Sequence, residues 1–173
     1  SISCSENENQ QTSTSDNYDR SALLTNVVDN IIIPAHQKFQ QELNLFVVQL
    51  DQFNLNRDIE NLENLQLQFI EAYKYWQHIE MFNIGYAEEI YYASKMNIYP
   101  TNVSRINDNI NGANFDLDNN PNQYSAQGFP AIDYLLFGLG QNNSEIINIY
   151  LENQNDNPTL VYLSLLATKM HNN

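Results

Sequence analysis

The chain has 173 residues, enough to bury one substantial core and to make one domain. Its 7 basic and 21 acidic side chains leave a formal net charge of -14, which repels phosphate backbones and anionic headgroups over a Debye length and excludes nucleic-acid binding. The acids lie scattered among Asn and Gln instead of in a block, so most of the charge reads as solvated surface, and no apolar run reaches the roughly 18 residues that would span a bilayer.

Residues 1–20 read as a polar tail, and the chain's single cysteine, Cys4, lies in it, so no disulfide can close within the chain. Ser1-Ile2-Ser3-Cys4 resembles the site at which bacterial lipoprotein precursors are cut ahead of a cysteine that then carries diacylglycerol. Ser3 is the small residue before the cut, whereas Ser1 departs from the usual leucine. The resemblance implies lipidation at Cys4, and the acidic Ser5-Glu6-Asn7-Glu8-Asn9 is similar to tracts that direct some lipoproteins to the cell surface. The alternative is an incidental thiol. With almost no apolar content, residues 5–19 cannot offset the entropy of ordering, which predicts a disordered tether that meets the membrane only through its lipid.

Beyond the tether, Ala22-Leu23-Leu24, Val27-Val28 and Ile31-Ile32 recur at spacings of three and four, which predicts a helix with one buried face. Pro34 removes a backbone donor, so a kink or short break is expected before Phe39, Leu43, Phe46, Val47 and Leu50 continue the stripe. Leu62, Leu65, Phe69, Tyr73, Trp76 and Glu80 share helical spacing on a second long helix ending near Gly85. The short connection from Asn54 to Asp58 makes the two antiparallel neighbours. Ala87 to Met96 reads as a third helix stopped by Pro100, and Thr101 to Gln127 as an ordered, long Asn-rich loop with one helical turn near Val103 to Ile110. Pro130 suits the first turn of the next helix, and Asn157 caps a last one from Pro158 to Met170. No segment alternates at period two, so the fold class is all-α: an antiparallel helical bundle over residues 21–173 behind the tether of residues 1–20.

Gly128-Phe129-Pro130-Ala131-Ile132-Asp133-Tyr134-Leu135-Leu136-Phe137-Gly138 resembles the signature helix of the imelysin-like family, related to peptidase family M75, whose motif is Gly-x-His-x-x-Glu before an apolar run. Pro130 stands where that motif has histidine, and Asp133 where it has glutamate. Histidine and glutamate three apart share one helical face and can reach one metal ion; proline has no ligating atom. Ala72-Tyr73-Lys74-Tyr75-Trp76-Gln77-His78-Ile79-Glu80-Met81-Phe82, followed by Gly85, resembles the family's second helix, and Asn30-Ile31-Ile32-Ile33-Pro34-Ala35-His36-Gln37-Lys38-Phe39 more weakly its first. Family members are usually about twice as long with two bundles, so the resemblance implies that this chain corresponds to the first bundle alone.

The resemblance singles out Trp76, Glu80, Gly128, Pro130, Asp133 and Tyr134 as a ligand-binding or polar centre. If Glu80 and Asp133 both point inward, they need donors or a shared cation, because an unpaired buried carboxylate costs several kcal/mol or takes up a proton. Trp76, Tyr75, Tyr134 and the first amides of the motif helix are the available donors. A structural polar cluster that fixes helix register is the alternative. His36 and His78 could restore the missing imidazole, but surface or capping roles suit them better, and His171 lies at a frayed end. Asp116-Leu117-Asp118-Asn119-Asn120 has the oxygen spacing of a calcium loop without its glycine or closing glutamate and reads as a solvated turn. Tyr73, Tyr75, Trp76, Tyr86, Tyr91 and Tyr92 read as core and rim packing.

The function implied is a lipid-anchored, non-catalytic binding protein of the bacterial envelope, in the outer membrane or at the surface, linked through the family to iron or haem uptake. No catalytic residue is assigned. A metal ion (iron, zinc or calcium) remains open as cofactor, and a small ligand, haem or an envelope protein as partner. The competing readings are an M75-type metallopeptidase and a ligand-free, partner-binding bundle.

Overall fold

The computed structural model describes residues 19–112, 114–153 and 156–172, so Cys4 and nearly all of the expected tether lie outside it. The helices are α1 Arg20–Val27, α2 Ile33–Leu55, α3 Ile59–Ile79, α4 Tyr86–Glu89, α5 Tyr92–Met96, α6 Val103–Ile110, α7 Gly128–Phe137, α8 Asn143–Leu151 and α9 Pro158–Asn172. A π-helical turn spans Val28–Ile32, and 3-10 turns span Glu80–Phe82 and Pro121–Ala126. With no strand among the described residues, the expected all-α helical bundle is what forms. No described helix is long and apolar enough to cross a membrane.

The α2–α3 hairpin is the frame, because the stripes read from the sequence face each other along its length. Phe39, Leu43, Phe46, Leu50 and Phe53 of α2 are buried together with Leu62, Leu65, Phe69, Ala72 and Trp76 of α3. Each Leu or Phe among them removed from water contributes about 1.5–3 kcal/mol, an upper estimate because a real unfolded chain already hides some apolar surface. Asp58 starts α3 by accepting from the Asn61 amide at 2.8 Å. The apolar α7 lies against α3 and α9, and α9 returns along α2.

At the end of the bundle where α2 meets α3, buried side chains pair with the last carbonyls of α7 and α8. Gln66 donates to the Leu136 carbonyl at 2.8 Å and to Asn143 at 2.9 Å. Tyr150, wholly buried edge-on against Phe53 at 5.2 Å, donates to the Leu135 carbonyl at 2.8 Å. The side-chain amide of Asn157 donates to the carbonyls of Ile149 at 2.7 Å and Glu152 at 2.9 Å, while its oxygen caps α9 through Leu160 N at 2.8 Å. These bonds satisfy carbonyls that helix ends leave without intrahelical partners.

The structure corrects the sequence reading in four places. The helix expected to bury one face from Ala22 does not: α1 has no buried residue, Leu23, Leu24, Val28 and Ile31 are exposed, and Val27 and Ile32 are half-buried. Pro34 causes no break. The preceding turn widens to π geometry, with Ile33 N bonding to Val28 O, and this absorbs the crowding that the proline ring imposes one turn back. The single helix expected from Ala87 to Met96 is two short ones, parted at Tyr91, whose φ of 56° lies in the left-handed region. A helix not anticipated, α8, follows α7; Asn142 caps it by accepting from Glu145 N at 3.0 Å, and Glu145 reaches back to Gln141 N at 2.9 Å.

The Asn-rich stretch is ordered, as expected, and holds more helix than the one turn read from the sequence. It holds the two-turn α6, capped by Asn102, and the 3-10 turn at Pro121–Ala126. Buried Asn109 donates to Gln123 and to Tyr162 Oη, each at 2.9 Å, and Tyr162 donates to the Ala126 carbonyl at 2.7 Å. That chain of bonds ties α6 and the 3-10 turn to α9, and so sets where α7 begins.

Candidate functional site

The motif helix begins in a fixed position. Gly128 has φ +73°, and a Cβ there would sit 2.3 Å from the Met96 carbonyl oxygen and 2.6 Å from that of Lys95. The backbone leaving α5 therefore occupies the space a side chain would need, and only glycine fits. Phe129, 2% exposed, then enters the core and packs on Tyr73 at 4.9 Å, Phe69 at 5.8 Å, Trp76 at 6.1 Å and Phe39 at 6.2 Å between ring centroids. Pro130 lies half-buried in the first turn, where its missing N–H loses no partner.

One turn further, Asp133 stands at the rim of a hollow of about 420 Å³ lined by Phe69, Tyr73, Asn97, Tyr99, Thr101, Phe129, Pro130, Asp133, Tyr134 and Gly138. Its side chain is exposed on the solvent side, yet burial on the other pushes its carboxyl above the usual aspartate range. Among the described residues it has no hydrogen-bond or ion-pair partner. Tyr134 is half-buried on the same wall.

A second, smaller hollow of about 200 Å³ lies against the end of α3, lined in part by His36, Trp76, Ile79, Glu80, Phe82 and Tyr92. Trp76 is 2% exposed, and its Nε1–H has no hydrogen-bond partner. Burial pushes the hydroxyl of Tyr92, packed edge-on against Trp76 at 5.6 Å, up to about 12. Glu80 is exposed, since α3 ends at Ile79 and Glu80 falls in the 3-10 turn that follows.

The residues singled out from the sequence therefore divide into two groups. Pro130, Asp133 and Tyr134 line the larger hollow, Trp76 and Glu80 the smaller, and Gly128 is a packing residue. The expected approach of Glu80 and Asp133 within an apolar core does not occur: both are exposed, and they open onto different hollows. The donors proposed for them, Trp76, Tyr75 and Tyr134, make no hydrogen bond to either carboxylate.

The remaining candidates settle into local roles. His36 Nδ1 lies 2.9 Å from the Ile32 carbonyl, with its ring 6.3 Å from Phe82. His36 does share the smaller hollow with Glu80, but not the larger one with Asp133. His78 is exposed, edge-on to Tyr75 at 5.6 Å, and His171 contacts its neighbour Asn172. Asp116 turns its carboxylate onto its own loop, accepting from the Asp118 and Asn119 amides and from the Asn119 side chain. The Asn119 bonds hold that carboxyl below the usual range, and Asp118 pairs with Lys169, which is the solvated turn expected of this segment.

The donor set does not fit the metal that the motif implies. Pro130 offers no lone pair, Asp133 is the one carboxylate in its hollow and no imidazole lines it, whereas a catalytic zinc takes three protein ligands. Among the described residues no group of three His, Cys, Asp or Glu side chains could hold an ion. Sequence reasoning missed Asn97, Tyr99 and Thr101 as parts of the wall; they arrive from the segment after α5, and no local pattern marks them.

The sequence profile of the family described as Imelysin, peptidase M75, matches residues 32–173. No curated protein and no solved structure matches the chain.

Proposed function

The chain belongs to the imelysin family, and from that premise we propose that it is a non-catalytic binding protein of the bacterial envelope, lipid-anchored at Cys4, that serves iron or haem uptake and holds a small ligand beside Asp133. The observation that carries the binding part is the hollow built on the motif helix: about 420 Å³, mainly aromatic walls, and one partnerless carboxylate at its rim. Volume and lining match sites that accept small molecules, in which few polar groups orient a ligand against apolar walls. Hydrolysis of a peptide would need a polarised carbonyl and an activated water, and a lone aspartate beside a proline supplies neither arrangement. The anchor and the link to iron rest on sequence resemblance, through Ser3-Cys4 and the motif helix.

Peptide hydrolysis is the decisive assay. The purified chain, supplied in turn with zinc, iron and calcium salts, is expected to leave casein and unstructured peptides intact. Cleavage that a chelator stops and that Asp133→Asn abolishes would replace binding with metallopeptidase activity. For the anchor, mass spectrometry of the protein from its native membranes should find diacylglycerol on Cys4, and Cys4→Ala should release the chain from the membrane fraction. In cells starved of iron, loss of the gene should lower accumulated iron; unchanged accumulation removes the link to uptake.

A further inference from the structure

The larger hollow is strongly polarised in composition. On one side, Phe69, Tyr73 and Phe129 form a continuous aromatic wall, with Tyr73 4.9 Å from Phe129 and 6.3 Å from Phe69. At the rim stand Tyr99, 87% exposed, and Tyr134, with Asp133 between the wall and solvent. No cation of the described chain reaches Asp133. Elsewhere the molecule does pair a cation with an aromatic face: Lys38 Nζ lies 5.1 Å from the centre of the Tyr75 ring.

We propose that the hollow beside Asp133 binds a small organic cation, an alkylammonium group with apolar substituents. The proposal rests on the reading of this hollow as the binding site and names its ligand class. An inorganic divalent ion needs several oxygen, nitrogen or sulfur ligands to replace its water, and one carboxylate cannot do that. An alkylammonium ion is different: its charge is spread over a weakly hydrated surface that tolerates aromatic faces, and one carboxylate balances it. A carboxylate left half-desolvated and unpaired is a poor arrangement in the free protein and a good one once a cation arrives. The net charge of -14 further raises the local concentration of cations around the chain.

Isothermal calorimetry with choline and with its uncharged carbon isostere, dimethylbutanol, tests this. Wild type should bind choline and bind the isostere roughly tenfold more weakly or worse. Asp133→Asn should lose about tenfold or more of the choline affinity, the worth of one charge-assisted contact. Tyr99→Ala should lose about two- to fivefold, and Asp51→Asn, an equal charge change on an exposed face of α2, should change nothing. Both altered site residues are exposed, so circular dichroism should find the variants folded. A peptide bearing trimethyl-lysine, bound with the same dependence on Asp133, would assign the cation to a protein side chain; choline without the peptide assigns it to a free amine. No heat with choline, equal binding of the isostere, unchanged choline affinity in Asp133→Asn, or calcium displacing choline at Asp133 would each overturn the proposal. A neutral ligand held equally by wild type and Asp133→Asn would keep the binding reading and sink this one.

Discussion

The two ends of the bundle are built from the same helices and treat polar groups in opposite ways. Where α2 turns into α3, Gln66, Tyr150 and Asn157 each reach a backbone carbonyl of α7 or α8. Toward the other end, Trp76 Nε1 has no partner beside the smaller hollow, and along the flank of α7 the larger hollow opens from Phe129 to Gly138 beside Asp133, which has no partner either. Buried polar groups in native proteins are almost always satisfied, and among the described residues the buried side-chain atoms without a partner are Trp76 Nε1, beside the smaller hollow, and Arg105 Nε on α6; Asp133 is open to water and shares with them only the lack of a partner. The paired end holds the helices in place; the flank of α7 with its unpaired carboxylate is where the proposed ligand would gain most.

The largest effect expected is at the boundary of the open end. Gly128→Ala must leave its φ of +73° and push back the Met96 carbonyl, which would lie 2.3 Å from the new Cβ. Strain of both kinds should destabilise the chain by roughly 3 kcal/mol or more, read as a shift in urea midpoint. A loss below about 1 kcal/mol would mean that α5 can retreat and that the hollow's wall is soft. Next comes the closed end: Tyr150→Phe keeps the ring against Phe53 and strands the Leu135 carbonyl, at a cost of about 1–3 kcal/mol. No loss there would abolish the contrast between the ends.

Asp133→Asn should behave in the opposite sense. Because burial raises its pKa in the folded state, the native chain holds that proton more tightly than the unfolded one does. The wild-type penalty is therefore complete above the raised pKa and vanishes once pH falls below the ordinary aspartate range. At neutral pH the variant should be as stable as wild type or slightly more so, and the two should converge in acid. Thermal melts across pH test this, and a clear destabilisation at neutral pH would reveal a structural partner for Asp133 and weaken its reading as a ligand group.

Much of the frame was legible in the sequence because its physics is local and periodic. Phe39, Leu43, Phe46 and Leu50 recur at helical spacing, and the five residues from Asn54 to Asp58 leave room only for an antiparallel return. Helix α8 went unread, although Asn142 and Glu145 are a capping pair and Ile146, Ile147 and Tyr150 share a face; the surrounding Asn-rich sequence masked the pattern. The site was legible only in part. Pro130 and Asp133 are one turn apart whatever the tertiary structure, but the fate of Glu80 hinges on α3 changing from α to 3-10 geometry after Ile79, a single-residue matter that periodicity does not resolve. That Tyr99 closes the wall depends on packing between segments distant from α7, which no spacing encodes.

The smallest effect expected lies midway between the ends, on the outer seam of α2 and α3. There Glu42 accepts from Lys38 one turn before it and from Gln68 across the seam at 2.8 Å. The Lys38 bond, and after it the Gln68 bond, hold the Glu42 carboxyl below the usual glutamate range against the opposing effect of burial; the same contact raises Lys38. For the acid, the lowered pKa means that the contribution is complete above the ordinary glutamate range and is lost as pH falls through the lowered value. For the lysine, the raised pKa means that it is complete below the ordinary lysine range and is lost as pH climbs through the raised value. Between those limits the stability difference between wild type and Glu42→Gln should be flat, small and further reduced by salt, because one partner is open to water. Urea midpoints of both proteins from mild acid to alkaline pH measure it. A difference as large as that of Tyr150→Phe would show that pairing with a partner open to water matters as much as pairing wholly within the core, and the distinction between the two regions would then rest on the hollows alone.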